Sequence, residues 1–234
     1  MASIDPTSPP MATHTGRSPS SPGSGPGTTG LAGLAGLIDR QRDFFRLGYT
    51  RSLDYRLNRL QDLRAALVEF RPRLEAALAA DLGKPLFESF GSEIGFCLTE
   101  LDHTLKHLPR WYQPRRVGLP ILLQPSQGQV RPEPKGVVLI LGPWNYPVQL
   151  CLVPLIGAIA AGNCAIVKPS ETAPEASRAI AELLRKTFDP MYVAAIEGGV
   201  AVSQALLDQR FDHLFFTGGA TIAKVVMALS LIHI

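Results

Sequence analysis

Cysteine is scarce in this sequence, and the cysteines that are present lie far apart. The 234 residues contain only Cys97, Cys151 and Cys164. Their spacing matches neither a zinc ligand pair nor the dense pattern of a small disulfide-bonded domain. We therefore expect no disulfide framework and favour a location in the reducing cytoplasm.

Charge of either sign is also limited. The chain carries 23 basic and 20 acidic residues, which gives a net charge of +3 at pH 7. A local basic cluster, Arg110, Arg115 and Arg116, lies beside two aromatic residues and suggests nucleic-acid contact as one interpretation. Because no further basic stripe extends this cluster, we favour a solvated helix end and predict no nucleic-acid partner.

The stretch from 136 to 167 has no charged residue at all. An uncharged run of this length first suggests a membrane-spanning helix. Prolines and polar residues interrupt it, however, at Pro143, Asn145, Pro147, Gln149, Pro154 and Asn163. Its two Val/Ile-rich ends instead predict parallel strands that are buried on both faces, so we expect no membrane span.

Residues 1–30 lack the apolar side chains that a folded core needs. Pro, Ser, Gly and Thr dominate this segment. It has neither the apolar centre of a secretion signal nor the Arg-rich composition of a transit peptide. We predict a disordered tail, which is either a dispensable extension or the product of a start codon placed too early.

Residues 31–115 predict packing helices. From 53 to 78 the apolar residues recur every three or four positions, which is the spacing of a helix with one buried face, and Pro72 should break or kink this helix. A second stripe runs from 90 to 108 and should end at Pro109. We expect both helices to bury their apolar stripes against the rest of the chain.

Three polar residues of the second predicted helix have spacings that suit a metal ion: Glu100, His103 and His107. No fourth ligand and no cysteine pair lies near them in the sequence. We therefore favour an exposed polar face and predict no metal site.

The remainder of the chain predicts an α/β fold. Residues 116–135 hold two short runs around a Gln-Pro-Ser-Gln-Gly turn, consistent with a hairpin-like connection. After this turn, strands are expected at 136–142, 164–168, 192–197 and 213–217, and helices at 147–161, 174–186, 200–207 and from 219. This alternation predicts a Rossmann-like, mostly parallel sheet over residues 136–228.

Three polar segments follow predicted strands, at 143–145, 168–171 and 217–219. The carboxyl ends of strands form the ligand-binding edge of an open parallel sheet, so these segments should meet there. Gly218 and Gly219 would let a phosphate approach a helix start, although a Gly-Gly turn alone is a weak signal. Lys168 and Glu171 suit ribose or phosphate oxygens, and the alternative for them is a surface ion pair.

Five motifs, taken in order, resemble the amino-terminal half of an aldehyde dehydrogenase. They are Gly-Pro-Trp-Asn-Tyr-Pro, Gly-Ala-Ile-Ala-Ala-Gly-Asn, Lys-Pro-Ser-Glu, Arg-Phe-Asp-His and Phe-Thr-Gly-Gly. Within that family the chain looks most like the class 3, NAD(P)-dependent fatty and aromatic aldehyde dehydrogenases. The resemblance covers residues 31–228, and it is specific because unrelated motifs agree in order and spacing.

The resemblance implies the chemistry of that family. A cysteine thiolate attacks the aldehyde, hydride passes to the nicotinamide, and a glutamate-activated water hydrolyses the thioester. By the same resemblance Asn145 donates its side-chain amide to the oxyanion, and a helix-capping asparagine is the alternative. The implied partners are a small aldehyde and, for the full-length enzyme, a second copy in a homodimer.

NAD or NADP is the cofactor that the resemblance implies. Lys168 and Glu171 look like the adenosine-ribose contacts, with Ser170 beside them, and Ile222 resembles the apolar residue that packs on adenine. The other implied cofactor-binding residues are Gly142, Pro143, Trp144, Phe216, Gly218 and Gly219.

The sequence departs from the family pattern in several places. Gly219 stands where the family usually has Ser, and Ala223 stands where it usually has Gly. The family's catalytic glutamate and cysteine lie further beyond Phe-Thr-Gly-Gly than this chain reaches, and the three cysteines present are interpreted as small apolar fillers. Residues 229–234 look non-native, because they match one reading frame of a transposon-end adapter. We expect an incomplete, inactive amino-terminal half; the alternative is a short non-catalytic nucleotide-binding or interaction protein.

Overall fold

Helices form the first part of the region that the computed structural model describes, which is residues 31–231. Their bounds are α1 Leu31–Arg46, α2 Leu53–Leu82, the single turn α3 Leu86–Glu88, a π-helix at Ser89–Ile94, and α4 Gly95–Trp111. The tail predicted for residues 1–30 and the last three residues of the segment 229–234 fall outside the described residues.

Neither Pro72 nor Pro109 ends the helix in which it lies. Helix α2 continues through Pro72, and α4 continues past Pro109 to Trp111. An internal proline removes one backbone hydrogen bond and crowds the preceding turn. In α2 the fully buried side chains of Leu67 and Leu74, on either side of Pro72, supply packing that outweighs this cost.

The π-helix at Ser89–Ile94 displaces the apolar stripe that was expected to begin at Phe90. A π turn holds an extra residue, which rotates the side chains that follow it. Glu93 and Ile94 are fully buried as a result, whereas Phe90 is 36% exposed and lies under the Arg71 guanidinium. The sequence spacing could not show this rotation.

The predicted hairpin is present after α4. Strand β1 Arg115–Val117 pairs antiparallel with β2 Gly128–Val130, and a 3-10 turn at Ile121–Leu123 lies between them. This two-stranded unit is separate from the main sheet. It connects the helices to the α/β part of the chain.

The main sheet is parallel, as predicted. Its strands are β3 Val137–Leu141, β4 Cys164–Lys168, β5 Val193–Ala195 and β6 His213–Phe216; the helices that alternate with them are α5 Pro147–Ala161, α6 Pro174–Thr187, α7 Val200–Leu207 and α8 Ala220–Leu231. The strand order is β5-β4-β3-β6. Within residues 31–231 no helix is long and apolar enough to cross a bilayer.

Both faces of the sheet are covered by helices. Apolar residues of α2, α4, α5 and α6 form the larger core on one face, and those of α1, α7 and α8 form a smaller core on the other. Every residue of β3 and β4 is buried. The uncharged stretch from 136 to 167 is therefore a buried strand, helix and strand, and the polar residues at the strand ends are left at the sheet edge.

Candidate active site

The strand register brings the three polar segments to one edge of the sheet. Leu141 at the end of β3 lies opposite both Lys168 of β4 and Phe216 of β6. The Gly142 amide donates to the Lys168 carbonyl at 3.0 Å, and the Thr217 amide donates to the Leu141 carbonyl at 3.4 Å. Segments 143–145, 168–171 and 217–219 thus begin side by side.

A topological switch point lies between β3 and β6. From β3 the chain proceeds to β4 and then β5 in one direction, and it returns to the opposite side of β3 for β6. At such a point the loops leaving the two strands diverge and open a crevice at the carboxyl edge. Segments 143–145 and 217–219 follow the two strands at this point.

Asn145 presents a free side chain at this edge. The residue is exposed, and its amide makes no hydrogen bond within the described residues. Helix α5 begins after Tyr146 without a side-chain cap, so the capping alternative for Asn145 is wrong. A neutral donor is therefore available at the end of β3.

A buried ion pair that sequence reasoning missed lies behind Asn145. Lys84 Nζ is 2.5 Å from Glu93 Oε1, donates to the Asn145 carbonyl at 2.8 Å, and lies 3.9 Å from the centre of the Tyr146 ring. Lys84 is 8% exposed and Glu93 is fully buried. The sequence did contain a signal for this pair. Glu93 lies next to Ile94 in an apolar stripe, and a carboxylate that is buried there needs a partner of opposite charge.

Glu93 also takes the role that a capping side chain would have in α5. Its Oε2 accepts hydrogen bonds from the backbone amides of Val148 at 2.8 Å and Gln149 at 3.3 Å. A helix start leaves such amides unpaired and carries partial positive charge, so a carboxylate there is favourable. Glu93, which lies in the π-helix, therefore holds the first turn of α5 in place.

Gly142 is required by close packing. A Cβ built on Gly142 would lie 2.2 Å from Cys151 Sγ, closer than two atoms can approach. Cys151 is fully buried on α5, and its Sγ packs against Gly142 just after the end of β3. The close contact between Gly142 and Cys151 therefore lies where the chain leaves β3 for the 143–145 segment.

We predict that Gly142→Ala lowers the free energy of unfolding by about 1 to 3 kcal/mol, the usual cost of overpacking. Urea unfolding followed by circular dichroism measures this change, and Gly219→Ala is the control because a Cβ there meets nothing within 4 Å. Adding Cys151→Ala to Gly142→Ala should recover part of the loss. Equal stability of Gly142→Ala and Gly219→Ala would contradict the predicted clash.

The three cysteines are buried, as the apolar-filler interpretation predicts. Burial raises the pKa of both Cys151 and Cys164 to about 12, and burial raises the pKa of Cys97 as well. A nucleophilic cysteine needs an accessible thiolate at neutral pH. None of these thiols meets that requirement.

Lys168 and Glu171 contact each other, as the ion-pair alternative describes. Lys168 Nζ donates to Glu171 Oε2, and Lys168 is 3% exposed while the Glu171 side chain is 40% exposed. Partial burial acts to raise the pKa of Glu171, but the hydrogen bond from Lys168, a backbone hydrogen bond and the charge of Lys168 together outweigh it, so the pKa lies below its usual value. Ser170 Oγ accepts from the Thr172 amide at 3.2 Å. An ionised carboxylate therefore faces solvent at the end of β4.

The third segment leaves room for a ligand. Phe216 lies against Gly218, since a Cβ on Gly218 would be 2.4 Å from its ring, whereas Gly219 has open space around it. Gly219 immediately precedes α8, whose first amides are unpaired within the helix. Ile222, in the first turn, is 56% exposed. Open backbone, a helix start and an exposed apolar side chain fit the phosphate and base of a dinucleotide.

The histidines of α4 take part in ring stacking. The rings of His103 and His107 lie 4.2 Å apart between centres, and His107 stacks on Trp111. Within residues 31–231 no group of three or more His, Cys, Asp or Glu residues could hold a metal ion.

Known proteins are similar to this chain in sequence and in fold. The model of the "Aldehyde dehydrogenase family" matches residues 42–232. Aldehyde dehydrogenase family 3 member B2 of Mus musculus is 41% identical over 223 residues, which are 95% of this chain and 45% of that protein. The 4,4'-diaponeurosporen-aldehyde dehydrogenase of Staphylococcus aureus is 41% identical over 183 residues, 78% of this chain and 40% of that protein.

Solved structures give the same result. The substrate-bound state of Staphylococcus aureus AldH superposes with a TM-score of 0.83 at 38% identity, covering 85% of this chain and 43% of that one. The NAD+ complex of an aldehyde dehydrogenase from Bacillus cereus, 21% identical, shares the fold with a TM-score of 0.77 over 88% of this chain and 42% of that one. The chain spans less than half the length of these relatives.

Proposed function

Because the chain belongs to the aldehyde dehydrogenase family, we propose that its protein oxidises an aldehyde to a carboxylic acid with a nicotinamide cofactor, and that this chain supplies the cofactor edge and the oxyanion donor. The observation that carries the proposal is the meeting of segments 143–145, 168–171 and 217–219 at one edge, with the Asn145 amide free. Hydride transfer to NAD or NADP by the full-length protein, followed at 340 nm with aliphatic and aromatic aldehydes, tests it.

Asn145 would stabilise the transition state as a neutral hydrogen-bond donor. When a nucleophile adds to an aldehyde, negative charge develops on the carbonyl oxygen. A carboxamide N–H can bind that oxygen without giving up its proton. The exposure of Asn145 and the fixed backbone beside it support this role, because a preformed donor needs little rearrangement as the charge appears.

The open edge would hold the dinucleotide. We assign the ribose to Lys168 and Glu171 with Ser170 alongside, and the adenine to the exposed face of Ile222. The pyrophosphate would approach the start of α8; the residues assigned to that approach and to the crevice wall are Gly142, Pro143, Trp144, Phe216, Gly218 and Gly219. When bound, the nicotinamide supplies the hydride acceptor.

The nucleophile and the general base are proposed to lie in sequence that this chain does not contain. Its three cysteines are buried thiols with raised pKa values, which supports this part of the proposal. We further propose that residues 31–115 and 136–228 are the helical and cofactor-binding parts, joined by 116–135. The full-length enzyme is proposed to be a cytoplasmic homodimer.

We predict that the full-length enzyme prefers NAD to NADP. The ionised Glu171 carboxylate, proposed to face the ribose, would accept a hydrogen bond from the 2′-hydroxyl and repel a 2′-phosphate. Glu171→Gln should narrow the preference about fivefold, the scale expected for one partly exposed charge. The measurement is kcat/KM for each cofactor.

Glu182→Gln is the matched control for this prediction, since Glu182 is a similarly exposed carboxylate on α6. It should leave the ratio of kcat/KM values unchanged. A preference of the unmodified enzyme for NADP would refute the assignment of Glu171 to the 2′-hydroxyl.

A further inference from the structure

The buried pair of Lys84 and Glu93 holds the Asn145 carbonyl and the backbone that follows it. An ammonium has three donor positions, and the three contacts of Lys84 are Glu93, the Asn145 carbonyl and the face of the Tyr146 ring. The second oxygen of Glu93 accepts hydrogen bonds from the backbone amides of Val148 and Gln149 at the start of α5. The Asn145 side-chain amide itself has no hydrogen-bond partner in the described residues.

Stability alone does not account for this arrangement. Removing two charges from water costs as much as their attraction returns, so a buried ion pair adds little stability over apolar residues of the same size. Here the pair occurs under a segment that ends a strand and starts a helix at the open edge. Its contacts fix the path of that segment, including the carbonyl of Asn145 itself.

The π-helix at Ser89–Ile94 is what brings Glu93 into this position. The π-helical register is rare and occurs often at functional sites. In this chain it turns a carboxylate inward beside an apolar core, where Lys84 is the cation that pairs with it. The π-helix, a rare local geometry, thus occurs at Glu93, the residue that contacts the start of α5 just after Asn145.

We infer that Lys84 and Glu93 are positioning residues that hold the Asn145 amide in place for the oxyanion. The inference rests on the proposed function, because it assigns the pair a role in the same reaction. A small displacement of a catalytic group lowers the rate while substrate and cofactor still bind. Loss of the pair should therefore affect kcat much more than KM.

The kinetic test is a double-mutant cycle in the full-length enzyme. Lys84→Met should lower kcat about 10- to 100-fold, the range expected for a misplaced catalytic group, and leave the KM for NAD within about twofold. In the Asn145→Ala background, Lys84→Met should lower kcat almost no further, because the side-chain amide that Lys84 positions is already absent. Fully multiplicative losses, or an unchanged kcat in Lys84→Met, would overturn the inference.

Hydrogen exchange gives a second readout that does not need catalysis. In Glu93→Gln the amides of Val148 and Gln149 should exchange at least tenfold faster, while amides of β4 keep their protection. Arg42→Met is the control, because it breaks the partly buried Arg42–Asp212 pair at the opposite edge of the sheet. Unchanged exchange at Val148 and Gln149 would overturn the structural part of the inference.

The two experiments separate failure of the inference from failure of the proposed function. If Asn145→Ala leaves kcat intact, the oxyanion role is wrong, and the positioning role falls with it even if exchange changes as expected. If Asn145→Ala lowers kcat but Lys84→Met does not, the positioning role alone is wrong.

Discussion

Asn145→Ala will lower the kcat of the full-length enzyme by about 10²- to 10³-fold, the loss expected when one oxyanion donor is removed. Cofactor binding should persist, since the alanine keeps the backbone whose carbonyl Lys84 contacts. The side chain makes no hydrogen bond in the described part of the chain, so its loss should change stability little. Steady-state kinetics, with thermal unfolding in parallel, measures both quantities.

Asn58→Ala is the matched control for this experiment. Asn58 is an exposed asparagine on α2, away from the sheet edge, and its replacement should leave kcat unchanged. A kcat for Asn145→Ala within a fewfold of the unmodified enzyme would contradict the oxyanion role.

Residues 1–234 expressed alone will show no aldehyde oxidation above background. Asn145 supplies one donor, but without a thiolate no adduct forms for it to stabilise. The thiols of Cys97, Cys151 and Cys164 are buried, and burial raises the pKa of each, so none ionises near neutral pH. The measurement is NADH absorbance at 340 nm with a panel of aliphatic and aromatic aldehydes.

Cysteine variants identify the source of any turnover that is seen. Activity that disappears in Cys151→Ala or Cys164→Ala would show that a buried thiol acts as the nucleophile. That outcome would contradict the packing role of these cysteines and the proposal that the nucleophile lies outside this chain.

The sheet could be predicted from the sequence because its signals are local. Val and Ile runs bounded by Gly, Pro and polar residues mark β3 and β4, and the bounds of β4 and α5 match those expected. Parallel strands end at one edge, so the meeting of the three polar segments also followed from their order.

The Lys84–Glu93 pair, which contacts the backbone of Asn145, could not be predicted in the same way. Lys84 and Glu93 meet only because the π-helix turns Glu93 inward, and side-chain spacing on an ordinary helix does not reveal that register. Glu93 also occupies the amides that an asparagine cap would have used. The unbroken helix at Pro72 has the same origin, since tertiary packing outweighed a local rule.

Dinucleotide binding at the carboxyl edge of β3, β4 and β6 is the central claim, and a fluorescence titration with NADH tests it most directly. The chain has only two tryptophans, and Trp144, 53% exposed, belongs to the edge. In a Trp111→Phe variant with a helical circular dichroism spectrum, NADH should quench Trp144 saturably. Gly219→Val should abolish the quenching, whereas Gly118→Val, equally open but in the hairpin connection, should not. Quenching that never saturates, or equal affinity in the two valine variants, would contradict the claim.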